Sequence, residues 1–110
     1  MYVYEDSIFK GAELKITDGV AGYMCTDDRF DQEAKQCMQR FFKQDWGDLS
    51  LQTRHSNDLL LEHHLEPVLG VYNTSRGKVV VAASCYIHGQ YEMVDVSLYS
   101  EVYNLYMANK

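Results

Sequence analysis

The sequence predicts an α+β domain in which two helices pack on an antiparallel β-meander of three to four strands. Apolar residues recur at three- and four-residue spacing between positions 30 and 61, which is the period of a helix with one buried face. After Pro67 the apolar period changes to two, which is the period of a strand. Helical patterns followed by strand patterns are typical of α+β domains, and 110 residues suffice for one domain spanning 1–110.

The region before the first long helix predicts a short strand followed by a turn. Residues 2–4, Tyr-Val-Tyr, fit either an edge strand or a loose end. Apolar and polar residues alternate over residues 14–17, so we expect a half-buried strand there. Asp18 and Gly19 form a turn signal, and residues 20–24 fit a single helical turn.

The first long helix is predicted from an apolar stripe at positions 30, 34, 37, 38, 41 and 42. Asp27 and Asp28 supply side chains that commonly cap a helix N-terminus. Asp31 near this end and Arg40 near the other end both complement the helix dipole. We therefore expect this helix to begin close to Asp28.

A short stretch at residues 44–50, Gln-Asp-Trp-Gly-Asp-Leu-Ser, separates the two helical patterns and holds the only tryptophan. Trp46 is large and apolar, so we expect its indole to be buried in a tight helix–helix corner. Gly47 can adopt a positive φ and close the turn. Ser50 is a candidate N-cap for the next helix, and Asp48 lies close enough to favour the same N-terminus. A ligand site at this corner is the alternative interpretation.

The second long helix is predicted over residues 50–64. It ends before Pro67, because the residue that precedes a proline is disfavoured in the α region. Its apolar face carries Leu49, Leu60 and Leu61. Asn57 shares that face, and a buried amide without partners costs about 1–3 kcal/mol. We therefore expect the Asn57 amide to bind backbone near Trp46.

Three strands are predicted after Pro67, over residues 68–72, 78–87 and 91–99. Gly77 fits the left-handed position of a hairpin loop at residues 73–77. The middle strand has apolar residues on both faces, which indicates a central strand that is covered twice. The last strand alternates, with Val94 and Val96 on one face and Asp95 on the other, so we expect it to be half exposed. The helices are expected to cover one face of this meander.

Tyrosines are concentrated near the C-terminal end. Tyr99, Tyr103 and Tyr106 fall beside one another if this region forms a short helix. Tyrosine is enriched at protein interfaces because it buries a large area and keeps a polar tip. The pattern predicts a contact surface, either for a homodimer or for another protein, and packing inside the domain is the alternative.

The net charge of −6 is confined to the helical part of the chain. Residues 1–66 hold 13 acidic and 7 basic side chains, whereas residues 67–110 hold 3 of each. An acidic surface repels nucleic acid, so the expected partner is a basic protein and not nucleic acid itself. The candidate acidic contact residues are Asp27, Asp28, Asp31, Asp45 and Asp48. An ordinary solvated helix face explains the same acids equally simply.

The sequence offers little chemistry, so we expect no enzyme, no cofactor and no metal site. Three cysteines far apart in sequence do not form a disulfide framework or a zinc ribbon. His55 and His63 lie two turns apart, and the adjacent His63 and His64 point to different faces, which is poor metal spacing. A small enzyme or ligand-binding domain that uses Asp45, Asp48 and Asn57 is the alternative.

No apolar run in the sequence approaches the roughly 20 residues that a membrane span needs. Residues 1–6 lack both the basic residues and the apolar core of a secretion signal. We therefore expect a cytoplasmic protein with no membrane partner.

The corner resembles a motif of small, uncharacterised plasmid- and phage-borne proteins. In that family a helix ends in His-x-x-Gly-Asp-Trp-Gly-Asp-Leu, a second helix carries Asp-x-x-x-Asn, and a three-strand meander follows. Asp-Trp-Gly-Asp-Leu at residues 45–49 matches, and so does Asn57. The chain departs from the family at Phe41, which replaces His, at Gln44, which replaces Gly, and at Thr53, which replaces Asp.

This resemblance implies a mobile-element protein that counters host defence. The expected function is that of an anti-CRISPR-like inhibitor that binds stoichiometrically to a basic surface of a defence effector, such as a CRISPR effector subunit, in the host cytoplasm. A homodimeric accessory protein without catalysis is the first alternative. The small enzyme or ligand-binding domain is the second alternative.

Overall fold

The computed structural model describes residues 9, 11–63, 67–87 and 89–102. It contains four strands and three named helices in these ranges: β1 (Glu13–Ile16), α1 (Asp18–Thr26), α2 (Asp28–Phe42), α3 (Leu51–Glu62), β2 (Val68–Thr74), β3 (Gly77–Ile87) and β4 (Gln90–Leu98). The fold is α+β, as the sequence predicts. The sheet has the order β1-β4-β3-β2.

Two features of the predicted architecture are wrong in detail. The sheet is mixed, because β1 pairs parallel with β4 while the β2–β3 and β3–β4 pairs are antiparallel. The predicted turn at Asp18 and Gly19 is instead the start of a third helix, α1. Thr17 explains the difference, since its side chain accepts a hydrogen bond from the Val20 backbone N–H and caps α1.

The long helices begin where the sequence predicts. Asp27 caps α2 by accepting hydrogen bonds from the backbone N–H groups of Arg29 and Phe30. Ser50 caps α3 by accepting from the Thr53 N–H. Among the described residues, none of the helices combines the length and the apolar composition that a membrane span requires.

The core lies between α1 and α2 and one face of the sheet. Its largest fully buried side chains include Phe9, Phe30, Met38, Phe41, Tyr72 and Tyr91. The apolar stripe of α2 is buried as predicted, from Phe30 to Phe42. Burial of these large side chains, each contributing about 1.5–3 kcal/mol, supplies most of the driving force for folding.

The last strand does not alternate cleanly along its whole length. Val94 and Val96 are buried as predicted, but Tyr91 is buried as well, although its number places it on the opposite face. Cys85 in β3 has a positive φ of 59°, but the register of β3 with β4 is the same on both sides of it. Tyr91 packs against Phe9, with ring centroids 5.6 Å apart, and against Tyr86, its partner in β3, with centroids 5.0 Å apart.

Candidate functional site

The corner between α2 and α3 begins with the end of α2. The Asp45 N–H donates to Arg40 O and the Gln44 N–H donates to Phe41 O, both at 2.9 Å, which is the pair of bonds in a Schellman helix end. Gln44 stands at the left-handed position of this motif, with φ of 64°. Glycine is preferred there because other residues place Cβ too close to the backbone.

We expect Gln44→Gly to stabilise the protein by about 0.5–1 kcal/mol, because relief of the left-handed strain exceeds the added entropy of glycine in the unfolded chain. The measurement is a urea unfolding curve followed by Trp46 fluorescence. Gln44→Ala is the matched control and should bring no such gain, since alanine keeps the strain. A lower stability for Gln44→Gly than for Gln44→Ala would contradict this account of the corner.

The Trp46 indole is buried, as predicted, with only 2% of its surface exposed. Its ring packs edge-on against Phe41, with centroids 5.3 Å apart. Its Nε1–H donates to Asp58 Oδ1 on α3 at 2.8 Å. The indole therefore joins α2 to α3 through apolar contact on one side and a hydrogen bond on the other.

The corner also covers the outer edge of β2. Val71 N–H donates to Trp46 O at 3.1 Å, and the Asp48 N–H donates to Val71 O at 2.7 Å, so Gly47 and Val71 form a short parallel bridge. Asp48 Oδ2 accepts from the Asn73 N–H at 2.8 Å. The predicted role of Asp48 at the N-terminus of α3 is therefore wrong, because its carboxylate binds the sheet edge instead.

Asn57 on α3 also forms hydrogen bonds with the outer edge of β2. Its side-chain amide donates to Leu69 O, and its Oδ1 accepts from the Leu69 N–H at 3.4 Å. The side chain is only 4% exposed. The predicted target near Trp46 is wrong: α3 lies along β2, so the backbone nearest to Asn57 belongs to Leu69.

The outward backbone groups of an edge strand alternate along the chain. In β2 they belong to Leu69, Val71 and Asn73, and each of these residues is bound by the corner or by Asn57. An unpaired edge is a template for aggregation, and covering it with other parts of the chain removes that template. We name the set Trp46, Gly47, Asp48 and Asn57 the edge cover.

Asp45 is bound inside the corner. Its carboxylate forms an ion pair with the Arg40 guanidinium through two hydrogen bonds, of which the shorter joins Arg40 Nε to Asp45 Oδ2 at 2.7 Å. The carboxylate also accepts a hydrogen bond from the Gly47 N–H at 3.0 Å. These donors, the Arg40 guanidinium first, hold the pKa of Asp45 below its ordinary value. The Asp45 carbonyl accepts from the Tyr72 hydroxyl at 2.7 Å, and burial raises the pKa of that hydroxyl.

An open groove of about 330 Å³ lies between the corner and α3. It is lined by Gln44, Asp45, Trp46, Leu51, Arg54, His55 and Asp58. Of the three residues in the alternative enzyme hypothesis, only Asp45 lines this groove, and it is paired with Arg40. Asp48 and Asn57 point to the edge of β2. The structure therefore does not bring these three side chains together around one cavity.

Two acidic side chains in the first part of α2 and at its N-cap form hydrogen bonds with the β2–β3 hairpin. Asp27 Oδ2 accepts from Arg76 Nε at 2.9 Å, and Glu33 accepts from the Ser75 backbone N–H at 3.1 Å. The Phe30 N–H and then Arg76 lower the pKa of Asp27, and the Ser75 hydroxyl lowers the pKa of Glu33. The guanidinium of Arg76 also lies 4.6 Å from the ring centre of Tyr23.

The other candidate contact residues are distributed as follows. Asp31 pairs with Lys35 at 2.8 Å, one turn further along α2. Asp28 is exposed and has no ion pair with a described residue. Tyr99 is 47% exposed, with the Lys78 ammonium 5.9 Å from its ring centre. Tyr103 and Tyr106 lie outside the described residues.

Metal-binding and thiol chemistry find little support in the described ranges. Within them, no group of three or more His, Cys, Asp or Glu side chains could hold a metal ion. Cys37 is buried in the core, and burial raises its pKa to about 11, so it stays a protonated thiol at neutral pH. Cys25 is exposed, and no disulfide involves Cys85.

The arginines that bind oxygen atoms of the corner and of the start of α2 were not predicted from the sequence. Arg40, Arg54 and Arg76 each bind an oxygen of the corner or of the α2 start. The five-residue spacing from Arg40 to Asp45 was a usable local signal, since a Schellman end brings these positions together. Arg76 lies 49 residues from its partner, and no local pattern reveals such a pair.

Comparisons with protein-family models, with curated proteins and with solved structures gave no match to this chain.

Proposed function

We propose that this chain acts by binding another protein and not by catalysis, as a stoichiometric, anti-CRISPR-like inhibitor of a host defence effector. One observation carries the proposal. Acids from two separate parts of the chain, Asp27 and Glu33 on the α2 side and Asp48 in the corner, converge on the backbone and side chains of residues 73–76. We name these three acids, together with the exposed Asp28 that follows Asp27 in the sequence, the hairpin rim.

The charge of the hairpin rim supports a basic partner. Arg76 and Arg29 contact Asp27 and Glu33, but Asp28 and Asp48 form no ion pair with a described residue. The chain as a whole carries a net charge of −6. An acidic surface of this kind attracts the basic channels with which defence effectors hold nucleic acid, and it speeds association at low salt.

The hydrogen bonds that the polar side chains of the corner make within the chain favour a binding function over a catalytic one. Asp45, Asp48 and Asn57 each make hydrogen bonds to other parts of the chain, so their polar atoms have a structural role. A general acid or base needs access to its substrate and a pKa near the working pH. Asp45 instead has a lowered pKa and an arginine partner.

The test is capture of purified basic defence effectors on the immobilised protein at low salt, with association rates measured over a salt series. The double variant Asp28→Asn/Asp48→Asn removes two rim charges, while the amide oxygen introduced at position 48 can still accept from the Asn73 N–H. We expect its association rate to fall about tenfold at low salt, since rim charges act mainly on the on-rate.

A matched control, Glu92→Gln/Asp95→Asn, removes the same charge from β4, away from the hairpin rim, and should leave the rate within about twofold of the wild type. Capture of no effector at low salt would contradict the proposal. An equal loss of rate in both double variants would contradict the role of the rim and leave only an effect of net charge.

A further inference from the structure

The outward face of α3 is apolar along a single line. Leu51, His55 and Leu59 are spaced by four residues and therefore follow one line along the helix. Leu51 is 79% exposed and Leu59 is 43% exposed, whereas Asn57 and Leu61 are the buried residues of this helix. We name Leu51, His55 and Leu59 the α3 stripe. His55 separates the two leucines, and Leu51 and His55 also line the groove beside the corner. Single exposed leucines are common on monomeric proteins, so the charges beside the α3 stripe decide whether a partner covers it.

The charges beside the α3 stripe run against the helix dipole. Arg54 lies in the N-terminal half of α3, and Asp58 and Glu62 lie in the C-terminal half. The first turn has no acid and the last turn has no base, the opposite of α2, which begins with acids and ends with Arg40. Acids near a helix C-terminus are unfavourable for an isolated helix. The charge order is therefore unfavourable for the dipole of α3, although Asp58 binds Trp46 Nε1 and Arg54 binds Leu49 O within the chain.

A second α3 in antiparallel orientation complements this order. About a two-fold axis near His55, Leu51 meets the partner's Leu59, and Leu59 meets the partner's Leu51. Arg54 and Asp58 are also four residues apart and lie on the same flank of the stripe. In an antiparallel pair, equal flanks face each other, so Arg54 meets the partner's Asp58 and Asp58 meets the partner's Arg54. Antiparallel dipoles are favourable as well.

The side-chain atoms required for these pairs are held in place within the chain. Arg54 Nε donates to Leu49 O at 3.0 Å, and its two terminal nitrogens have no hydrogen bond within the described residues. Asp58 Oδ1 accepts from Trp46 Nε1 at 2.8 Å, and its second oxygen has no hydrogen bond within the described residues. Both groups are therefore fixed in orientation before a partner arrives, which lowers the entropy cost of association.

We propose that the chain forms a two-fold symmetric homodimer in which the α3 helices pack antiparallel through the α3 stripe. Such an interface is the same patch on both copies, which is the commonest arrangement in soluble oligomers. The interface contains no residue of the hairpin rim, so the proposal goes beyond the proposed inhibitor function. Each dimer would carry two copies of the hairpin rim. One helix pair buries less than a standard interface, so we expect dissociation in the micromolar range.

The test is sedimentation velocity of the full chain over a concentration series from micromolar to submillimolar. The wild type should pass from monomer to dimer, and Leu51→Ser/Leu59→Ser should stay monomeric throughout with an unchanged thermal midpoint at low concentration. Ile87→Ser is the matched control, since Ile87 is 48% exposed on β3, and it should dimerise like the wild type. A monomeric wild type at every concentration would overturn the proposal. So would a dimer that survives the leucine changes but is lost with Tyr99→Ser.

The antiparallel orientation has its own test. Arg54→Asp alone and Asp58→Arg alone each place like charges opposite one another and should weaken dimerisation at least tenfold. A mixture of these two variants restores both pairs and should recover the dimer. Asp58→Ala is the control, because it loses the same bond to Trp46 Nε1–H without placing like charges together, and it should weaken dimerisation less than Asp58→Arg. Recovery supports the antiparallel pairing, and a mixture that stays monomeric while both variants keep the far-ultraviolet circular dichroism of the wild type contradicts it.

Discussion

Gly47→Ala should lower the free energy of unfolding by about 3–4 kcal/mol, because it combines backbone strain with a steric clash. Gly47 has φ of +82°, and a Cβ atom built there would lie 2.1 Å from Val71 O and 2.6 Å from the Tyr72 ring. Neither neighbour can yield easily. Val71 O belongs to the paired backbone of β2, and the Tyr72 hydroxyl is bound to Asp45 O. Urea unfolding followed by circular dichroism gives the measurement.

Gly77→Ala separates the two causes. Gly77 also has a positive φ, of +95°, but no atom lies within 4 Å of a Cβ placed there. Its substitution therefore reports backbone strain alone, which we expect to cost about 1–2 kcal/mol. If Gly47→Ala destabilised the protein no more than Gly77→Ala, the close approach of the corner to β2 would be contradicted.

Asn57→Ala should cost about 2–3 kcal/mol and should also promote aggregation. The substitution leaves the N–H and C=O of Leu69 without their partner at a half-covered edge. Each lost bond costs about 1 kcal/mol, and the uncovered edge can then pair with another chain. Unfolding curves give the stability, and light scattering at raised concentration gives the association.

Two variants make the Asn57 result specific. Asn57→Leu keeps the branched shape of the side chain, with bulkier methyl groups in place of the amide, and removes the hydrogen bonds, so it should be at least as destabilising as Asn57→Ala. Ser56→Ala changes the exposed neighbouring residue, whose hydroxyl binds Gln52 O within the helix, and should stay within about 0.5 kcal/mol of the wild type. A stable Asn57→Leu would show that packing volume, and not the hydrogen bonds to Leu69, makes this position matter.

Much of the fold could be predicted because its signals are local. The apolar stripe of α2, the Asp27 and Ser50 caps and the change to a strand period after Pro67 each depend on neighbouring residues. Burial of Trp46 followed from its size alone. Predictions of this kind succeed because helix and strand periods are set by backbone geometry.

The parallel pairing of β1 could not be predicted, because a four-residue strand carries no information about its partner. A helical turn over residues 20–24 was predicted, but the start of α1 at Asp18 was missed, because Asp-Gly is a turn signal by itself and the capping hydroxyl of Thr17 reverses that preference. Burial of Tyr91 depends on its contact with Phe9, which no strand period indicates. The pairing of β1 and the burial of Tyr91 are therefore set by tertiary contacts, whereas the Thr17 cap is a local signal.

The corner was predicted as a structural element, but the strand that it binds was not. The sequence placed Trp46, Gly47 and Asn57 at the corner, yet the partner they share is the backbone of β2. That strand begins more than ten residues after Asn57, so no local spacing indicated it. The motif at residues 45–49 thus acquires a physical meaning, as the segment that covers an edge strand.

Amide hydrogen exchange of β2 tests the central claim most directly. If the edge cover binds β2, the amides of Leu69, Val71 and Asn73 should exchange about as slowly as the amides of Gly70 and Tyr72, which face β3. In Asn57→Ala the Leu69 amide alone should become fast. Rapid exchange of all three outward amides in the wild type, beside slow exchange at Gly70 and Tyr72, would mean that the edge is open and would contradict the account.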